Sequence, residues 1–168
     1  MPASNLAIRT ADQADLDAIN RVIESAVMTW DLPERVKRLS LPSYRYDCVD
    51  LEHLDIVLAE AGRHGIIGVA AWEPVDDKAH PAGSRALSLH GIYVDPTCHH
   101  QGIGTLLFRA AEHAVCEGGY DGLLVKAQAG STGFFSAQGM ERLKAGAFPD
   151  QYANRFWKPA ARMTKEPG

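Results

Sequence analysis

The stretch Val94-Asp95-Pro96-Thr97-Cys98-His99-His100-Gln101-Gly102-Ile103-Gly104 decides how this chain reads. It joins an apolar, strand-like run at 86–94 to the strongest helical pattern in the sequence, at 105–117. Leu107, Ala110, Ala111 and Ala114 share one face of that helix, and Gly118-Gly119 supplies its stop. A glycine-rich turn feeding a helix N-terminus can wrap a pyrophosphate with main-chain donors. The first helical turn leaves its N–H groups unpaired and carries the positive end of the helix dipole. Gly102 and Gly104 let the backbone approach such a group closely. A Walker loop would need G-x-x-x-x-G-K-[ST], and a dinucleotide fingerprint would need a third glycine where Leu107 stands, so neither pattern fits.

Working outward, 123–125 reads as a buried strand and 131–138 as a short helix with Gly139 just past its end, which implies a βαβα unit. Gly91, inside the 86–94 strand, suggests a bulge or a close backbone approach. Towards the N-terminus, Leu6 and Ile8 alternate with polar neighbours as a short first strand, and Asp12 is placed as a helix cap. Leu16, Ile19, Val22, Ile23, Ala26 and Val27 then recur at three- and four-residue spacing, giving an amphipathic helix that ends near Met28 and covers a sheet. The segment 30–46 holds Pro33, Pro42 and several aromatics, with a short helix expected over 34–39. It is a connector suited to folding over a site. Runs at 55–59 and 66–72, separated by 62–65, read as an antiparallel hairpin, followed by a polar loop over 73–83. With no repeat or linker, the expectation is a single domain over 1–168, its core at about 5–159 and its tail from Ala160 frayed.

At 168 residues one domain buries roughly 70% of the surface its unfolded chain exposes, so no disulfide or metal staple is needed. Hydrophobic residues at 46% and charged residues at 23% exclude a disordered or fibrous chain. Lys and Arg number 17 against 21 Asp and Glu, without a block of like charge, which argues against nucleic acid as a partner. Cys48, Cys98 and Cys116 are odd in number and lack C-x-x-C spacing, as suits a reducing cytoplasm. The histidines His80, His99, His100 and His113, with Cys98, match no common metal spacing. The N-terminal MPASNLAIRT has no basic and apolar leader pattern, and no run reaches the ~18 apolar residues of a membrane span, so neither export nor insertion is expected.

I-Y-V-D-P at 92–96, five spacer residues, and G-I-G-x-L-L at 102–107 resemble the acetyl-CoA motif of the GNAT superfamily. VKAQAGSTGFFSAQGM, 125–140, is similar to the family's next strand and helix, and the two motifs cover about a third of the chain. The resemblance implies an α/β (α+β) fold with a mixed, mostly antiparallel sheet flanked by helices. It also implies acetyl-CoA as co-substrate, with no metal. On these positions His99, His100, Gln101, Gly102, Ile103, Gly104 and Thr105 would hold the pyrophosphate. Ile92, Tyr93 and Val94 would line the pantetheine arm through main-chain groups, with Gly91 at the point where family members splay two strands apart. The implied reaction is direct attack of an amine on the thioester, since nothing near Cys98 marks it as an activated nucleophile. Family members are commonly dimers, which leaves a homodimer open.

Two positions depart from the family pattern. His99 stands where Arg or Gln is usual. Because a histidine is fully charged only below its ordinary pKa near 6.5, cofactor affinity is expected to vary between about pH 5.5 and 8. Phe135 stands where many members place a tyrosine proposed to protonate the departing thiolate. It either lines the cofactor channel or is core, and Tyr93, Tyr152 and Ser136 are the alternative donors. For the base, His90 shares a strand face with Ser88 and Ile92, while Glu73 closes the preceding strand; either suits an amine substrate. The main-chain N–H groups around Ile92 are the expected donors to the developing oxyanion. Trp30, Asp31, Tyr44 and Tyr46 form an aromatic and acidic acceptor pocket or else close a core under the connector. An amine acceptor, a small molecule more than a protein, is the leading reading. The alternative is an acyl-CoA-binding sensor without catalysis, for which His99 and Phe135 speak.

Overall fold

The computed structural model describes residues 5–75, 85–143 and 154–163. Its strands are β1 Leu6–Thr10, β2 Asp55–Ala61, β3 Gly65–Val75, β4 Ala86–Val94, β5 Gly122–Lys126, β6 Glu141–Arg142 and β7 Arg155–Pro159. They are hydrogen-bonded in the order β1-β2-β3-β4-β5-β7-β6. The β1/β2, β5/β7 and β6/β7 pairs are antiparallel and β4/β5 is parallel, so the sheet is mixed and mostly antiparallel, as the sequence implies. The helices are α1 Leu16–Val27, α2 Glu34–Tyr44, α3 Cys48–His53, α4 Ile103–Glu117 and α5 Thr132–Ala137. None of the described helices is long and apolar enough to cross a membrane.

The chain divides into two compact units, the first made of Met1–Ala71 with Ile92–Leu107. Asp12 opens it as a reciprocal cap: its carboxylate accepts from Ala14 N–H while Asp15 accepts from Asp12 N–H. α1 then buries Ile19, Val22, Ile23, Ala26 and Val27, the stripe its spacing predicts, against Ile56, Leu58, Val69, Ala71 and Tyr93. Lys37, almost wholly buried, donates from Nζ to Met28 O at 2.9 Å and so closes the C-terminus of α1 with a cation. α2 runs five residues beyond the expected end at Leu39, because Pro42 sits in its last turn, where only the carbonyl of Arg38 loses a donor. α3 carries no apolar stripe and was not foreseen. A second reciprocal cap, Asp47 with Asp50, specifies it.

The second unit is Trp72–Gly91 with Phe108–Gly168. Here β4 pairs with β5 from Ala86↔Gly122 to Leu89↔Val125, with α4 in the connection, the βα crossover expected from the sequence. α4 is stopped at Gly119, whose φ of 68° an L side chain rarely adopts, and α5 is stopped at Gly139 in the same way with φ 83°. Phe108, Phe134, Phe135 and Phe156 pack at ring-centroid distances of 5.1 to 6.4 Å, and Ala86, Leu124 and Trp157 form a second apolar cluster. The expectation of a frayed tail from Ala160 is corrected as far as Met163. Ala160–Arg162 form a short 3-10 turn, Ala160 N–H donates to Asp121 O at 2.8 Å, and Met163 is buried.

Arg9 on β1 makes two 2.9 Å bonds to Asp15 and a third, at 3.1 Å, to Glu60 on β2. The Arg9 guanidinium holds the Asp15 carboxyl below its ordinary value, against the opposing effect of burial. A carboxylate with a depressed folded-state pKa contributes stability above its unfolded value, and that contribution is lost as pH falls through the folded one. Replacing Arg9 by glutamine is therefore expected to cost about 1 kcal/mol near neutral pH, a figure kept small because the guanidinium is 37% exposed. Urea melts at pH 7, 4 and 2.5 should show the difference between the two proteins shrinking towards acid. A difference that holds constant across that range would show that Asp15 is not the linked group.

Candidate active site

The turn between β4 and α4 is held by its own side chains and main chain. Asp95 N–H donates to Ile67 O at 2.8 Å, and the Asp95 carboxylate accepts from Thr97 N–H at 2.9 Å and from the Thr97 hydroxyl at 2.8 Å. The next residues reverse the chain through two left-handed conformations, His100 with φ 63° and Gly102 with φ 79°. His100 is the single non-glycine residue with positive φ among those described, a strained conformation concentrated at the glycine turn. Leu106 N–H returns to Gly102 O at 3.1 Å, so the helical ladder starts at Gly102. The N–H groups of the first turn, from Gly102 to Thr105, therefore sit at the positive end of a 15-residue helix. Beneath this turn, Gly68 of β3 lies where a Cβ would stand 2.9 Å from Leu107 Cδ1 and 3.1 Å from Ile103 Cγ2, so only glycine lets the helix sit so close.

His99 does not point its Nε2 at the turn. That nitrogen lies 3.1 Å from Val94 O and donates to it, which leaves Nδ1 as the side facing elsewhere.

In the first unit, Trp30 and Tyr44 meet edge to face at 5.2 Å, and Tyr44 meets Tyr93 at 6.5 Å. Asp31 is exposed in the turn between α1 and α2. Tyr46 is core: its ring is buried, its main chain is clamped on both sides by the Asn20 amide, and burial pushes its phenol well above the ordinary value. Tyr46 is therefore removed from the open pocket expected for it, while Trp30, Tyr44 and the exposed Asp31 stay at the connector. In the second unit, Glu73 and His90, read from the sequence as alternatives, are partners. Glu73 Oε2 and His90 Nε2 are 2.5 Å apart, with the two side chains 35% and 38% exposed.

The sequence profile of the Acetyltransferase (GNAT) family matches residues 22–140, which span β4, the turn, α4, β5 and α5. The chain belongs to the GNAT acetyltransferase family. No curated protein sequence matches it significantly. Its fold is shared with the PaiA N-acetyltransferase of Thermoplasma acidophilum in complex with coenzyme A, at 14% identity and TM-score 0.74, covering 92% of this chain and 98% of that one. It is also shared with a GNAT-family acetyltransferase of Staphylococcus aureus Mu50, at 15% identity and TM-score 0.68 over 92% and 99% of the two chains. AtaTR bound with AcCoA is a third such structure, with 18% identity, TM-score 0.66 and coverage of 94% and 95%.

The β4/β5 register ends at Leu89↔Val125, and His90, Gly91, Ile92, Tyr93 and Val94 continue β4 beyond the last residue paired with β5. Phe135 is packed among Phe108, Phe134 and Phe156 at 4% exposure, the burial expected of its core reading. Tyr93 is buried in the core under α1, and burial drives its phenol well above the ordinary tyrosine value, which removes it as a ready proton donor. Ser136 is exposed on α5, and Tyr152 lies outside the described residues. Among the described residues no group of three or more His, Cys, Asp or Glu side chains is arranged to hold a metal ion. Sequence reading missed Gly68, whose only signal is a glycine inside a strand pattern, and Asp95, whose signal is the Asp-Pro-Thr turn itself.

Proposed function

We propose that this GNAT chain transfers an acetyl group from acetyl-CoA to an amine by direct attack, working as a single catalytic unit in a reducing cytoplasm. The observation that carries the reading is the turn at His100 and Gly102, which leads from the C-terminal end of β4 directly into the N-terminus of α4, where the first-turn N–H groups lie. Gly102, Ile103, Gly104 and Thr105, with His100 and Gln101, would hold the pyrophosphate. Ile92, Tyr93 and Val94 would pair with the pantetheine arm through main-chain groups, because β4 extends beyond its last residue registered with β5 there. Bound acetyl-CoA supplies an activated thioester. The chain supplies orientation and, from the N–H groups around Ile92, donors to the developing negative charge on the carbonyl oxygen.

A small cationic amine is the acceptor class this reading favours. The first unit carries twelve Asp and Glu against seven Lys and Arg, a field that draws cations, and Trp30, Tyr44 and Asp31 offer aromatic faces and a carboxylate near the connector. Thermal melts with acetyl-CoA, ATP and NAD test the donor site. Acetyl-CoA at 100 times its dissociation constant should stabilise the fold by about 2.7 kcal/mol, and ATP and NAD at the same concentration should not. A shift with ATP or NAD and none with acetyl-CoA would overturn the reading of the turn.

A further inference from the structure

We propose that Glu73 and His90 act as one unit, with Glu73 as the positioning residue and His90 Nδ1 as the atom that takes the proton from the attacking amine. The inference rests on the acetyltransferase reading and adds to it the missing proton path. Three observations on β3 and β4 carry it. A carboxylate accepts hydrogen bonds and does not donate them when ionised, so the contact between Glu73 Oε2 and His90 Nε2 assigns the imidazole proton to Nε2. The neutral ring then presents its lone pair at Nδ1, the tautomer fixed from behind by the carboxylate. Leu87 and Leu89 of β4 are buried on one face, while Ser88 and His90 occupy the opposite and more open one, so the pair stands where a solute reaches it. Ile92, whose N–H is the proposed oxyanion donor, is two residues further along the same strand.

The proton balance is complete within the pair. The cationic acceptor first releases its ammonium proton to solvent; the resulting neutral amine forms its C–N bond to the acetyl carbon and gives one N–H proton to His90 Nδ1. The imidazolium, held by Glu73 through Nε2–H, returns that proton to the sulfur as the C–S bond breaks, giving the amide and the free thiol. His90 ends as it began, and no oxidant, metal or second acid is needed. This accounts for a site in which Phe135 is core and has no proton to give, and in which Tyr93 is sequestered.

The test uses the full chain, with thiol release measured against a diamine, an arylalkylamine, an amino sugar and a free peptide N-terminus. His90→Gln is expected to lower kcat by roughly 100- to 10,000-fold while leaving the acetyl-CoA-induced rise in melting temperature intact. Glu73→Gln should lower kcat by roughly 10- to 100-fold with little change in KM for the amine, and Glu73→Asp should recover part of the loss. Nitrogen-15 NMR of the imidazole should place the proton on Nε2 in the native chain and shift it towards Nδ1 in Glu73→Gln, a signature that a merely structural ion pair would not link to kcat. Native kcat in Glu73→Gln, or an Nδ1–H tautomer in the native chain, would overturn the dyad while leaving the acetyltransferase reading in place. A native chain that binds acetyl-CoA and releases no thiol with any of these amines would instead overturn the enzymatic reading, and the dyad with it.

Discussion

Replacing Lys158 by methionine is expected to destabilise the protein by about 3–5 kcal/mol, a large share of the stability of a domain this size. Lys158 on β7 reaches the Glu112 carboxylate of α4 at 2.6 Å, and both side chains are nearly closed to solvent, at 13% and 9% exposure. The same ammonium donates to Gln138 O at 2.9 Å, one residue past the end of α5, and stands 5.7 Å from the centre of the Phe108 ring. Methionine keeps most of the stem's volume, so the loss would be electrostatic: Glu112 is left as a buried carboxylate with no cation, and α5 loses the group that closes its C-terminus. If desolvation is the reason, Glu112→Leu made together with Lys158→Met should recover most of the loss, because replacing a buried pair by apolar groups is often neutral or stabilising by about 1–4 kcal/mol. Urea denaturation of the native chain, the single variants and the double variant gives the coupling between the two sites directly. Equal and additive losses would place the stability in packing of the stems and not in the pair.

That pair also shows where sequence reading ends. β4 at 86–94, the stop of α4 at Gly118-Gly119 and the glycine past α5 were legible because each depends on neighbours in sequence: alternation, helical spacing, or a position that needs φ above zero. Glu112, by contrast, lies on the buried side of α4 and in sequence resembles any solvent-facing helical carboxylate; its partner is 46 residues away on a strand, RFWKP, whose first three residues are all buried, so no alternation marks it. The apolar face of α4 was read as Leu107, Ala110, Ala111 and Ala114, whereas the residues closed to solvent are Ile103, Leu107, Phe108, Ala111, Glu112 and Val115. The spacing located the helix but left its rotation uncertain by about one residue, since Ala is compatible with either face.

The candidate site divides along the same line. Its main-chain part, the turn from Asp95 to Gly104, is local chemistry and could be read from glycine positions and the motif around them. Its side-chain part was not local. Glu73 and His90 were each visible as candidates for an amine substrate, but that they are a single hydrogen-bonded pair depends on the placement of β3 beside β4, which neither residue announces. Phe135 and Tyr46 each kept two readings, because an aromatic in a motif or connector reads equally as lining or as core; both side chains are buried.

Gly68→Val is expected to weaken acetyl-CoA binding at a position that need not touch the ligand. The valine Cβ would arrive 2.9 Å from Leu107 Cδ1, 3.1 Å from Ile103 Cγ2 and 3.4 Å from Tyr93 O, and its two methyl groups would need further room in a part of the core where Leu107 is fully buried. Overpacking of this kind costs about 1–3 kcal/mol. The strain is applied to one element in particular, because Ile103 and Leu107 are the first and fifth residues of α4, the helix whose N-terminus forms the proposed pyrophosphate-binding turn. Relief comes most readily by lifting that first turn from β3. A displacement of about 1 Å in a positioning element can lower turnover by roughly 100-fold, and a loss of 1.4 kcal/mol in binding is a tenfold rise in Kd. Calorimetry with acetyl-CoA should therefore show a Kd raised by roughly tenfold or more in Gly68→Val, with part of the loss recovered when Leu107→Ala opens space beside the new side chain. If Kd stays at its native value while stability falls, α4 yields elsewhere, and the close seating of Ile103 and Leu107 on Gly68 serves the core alone.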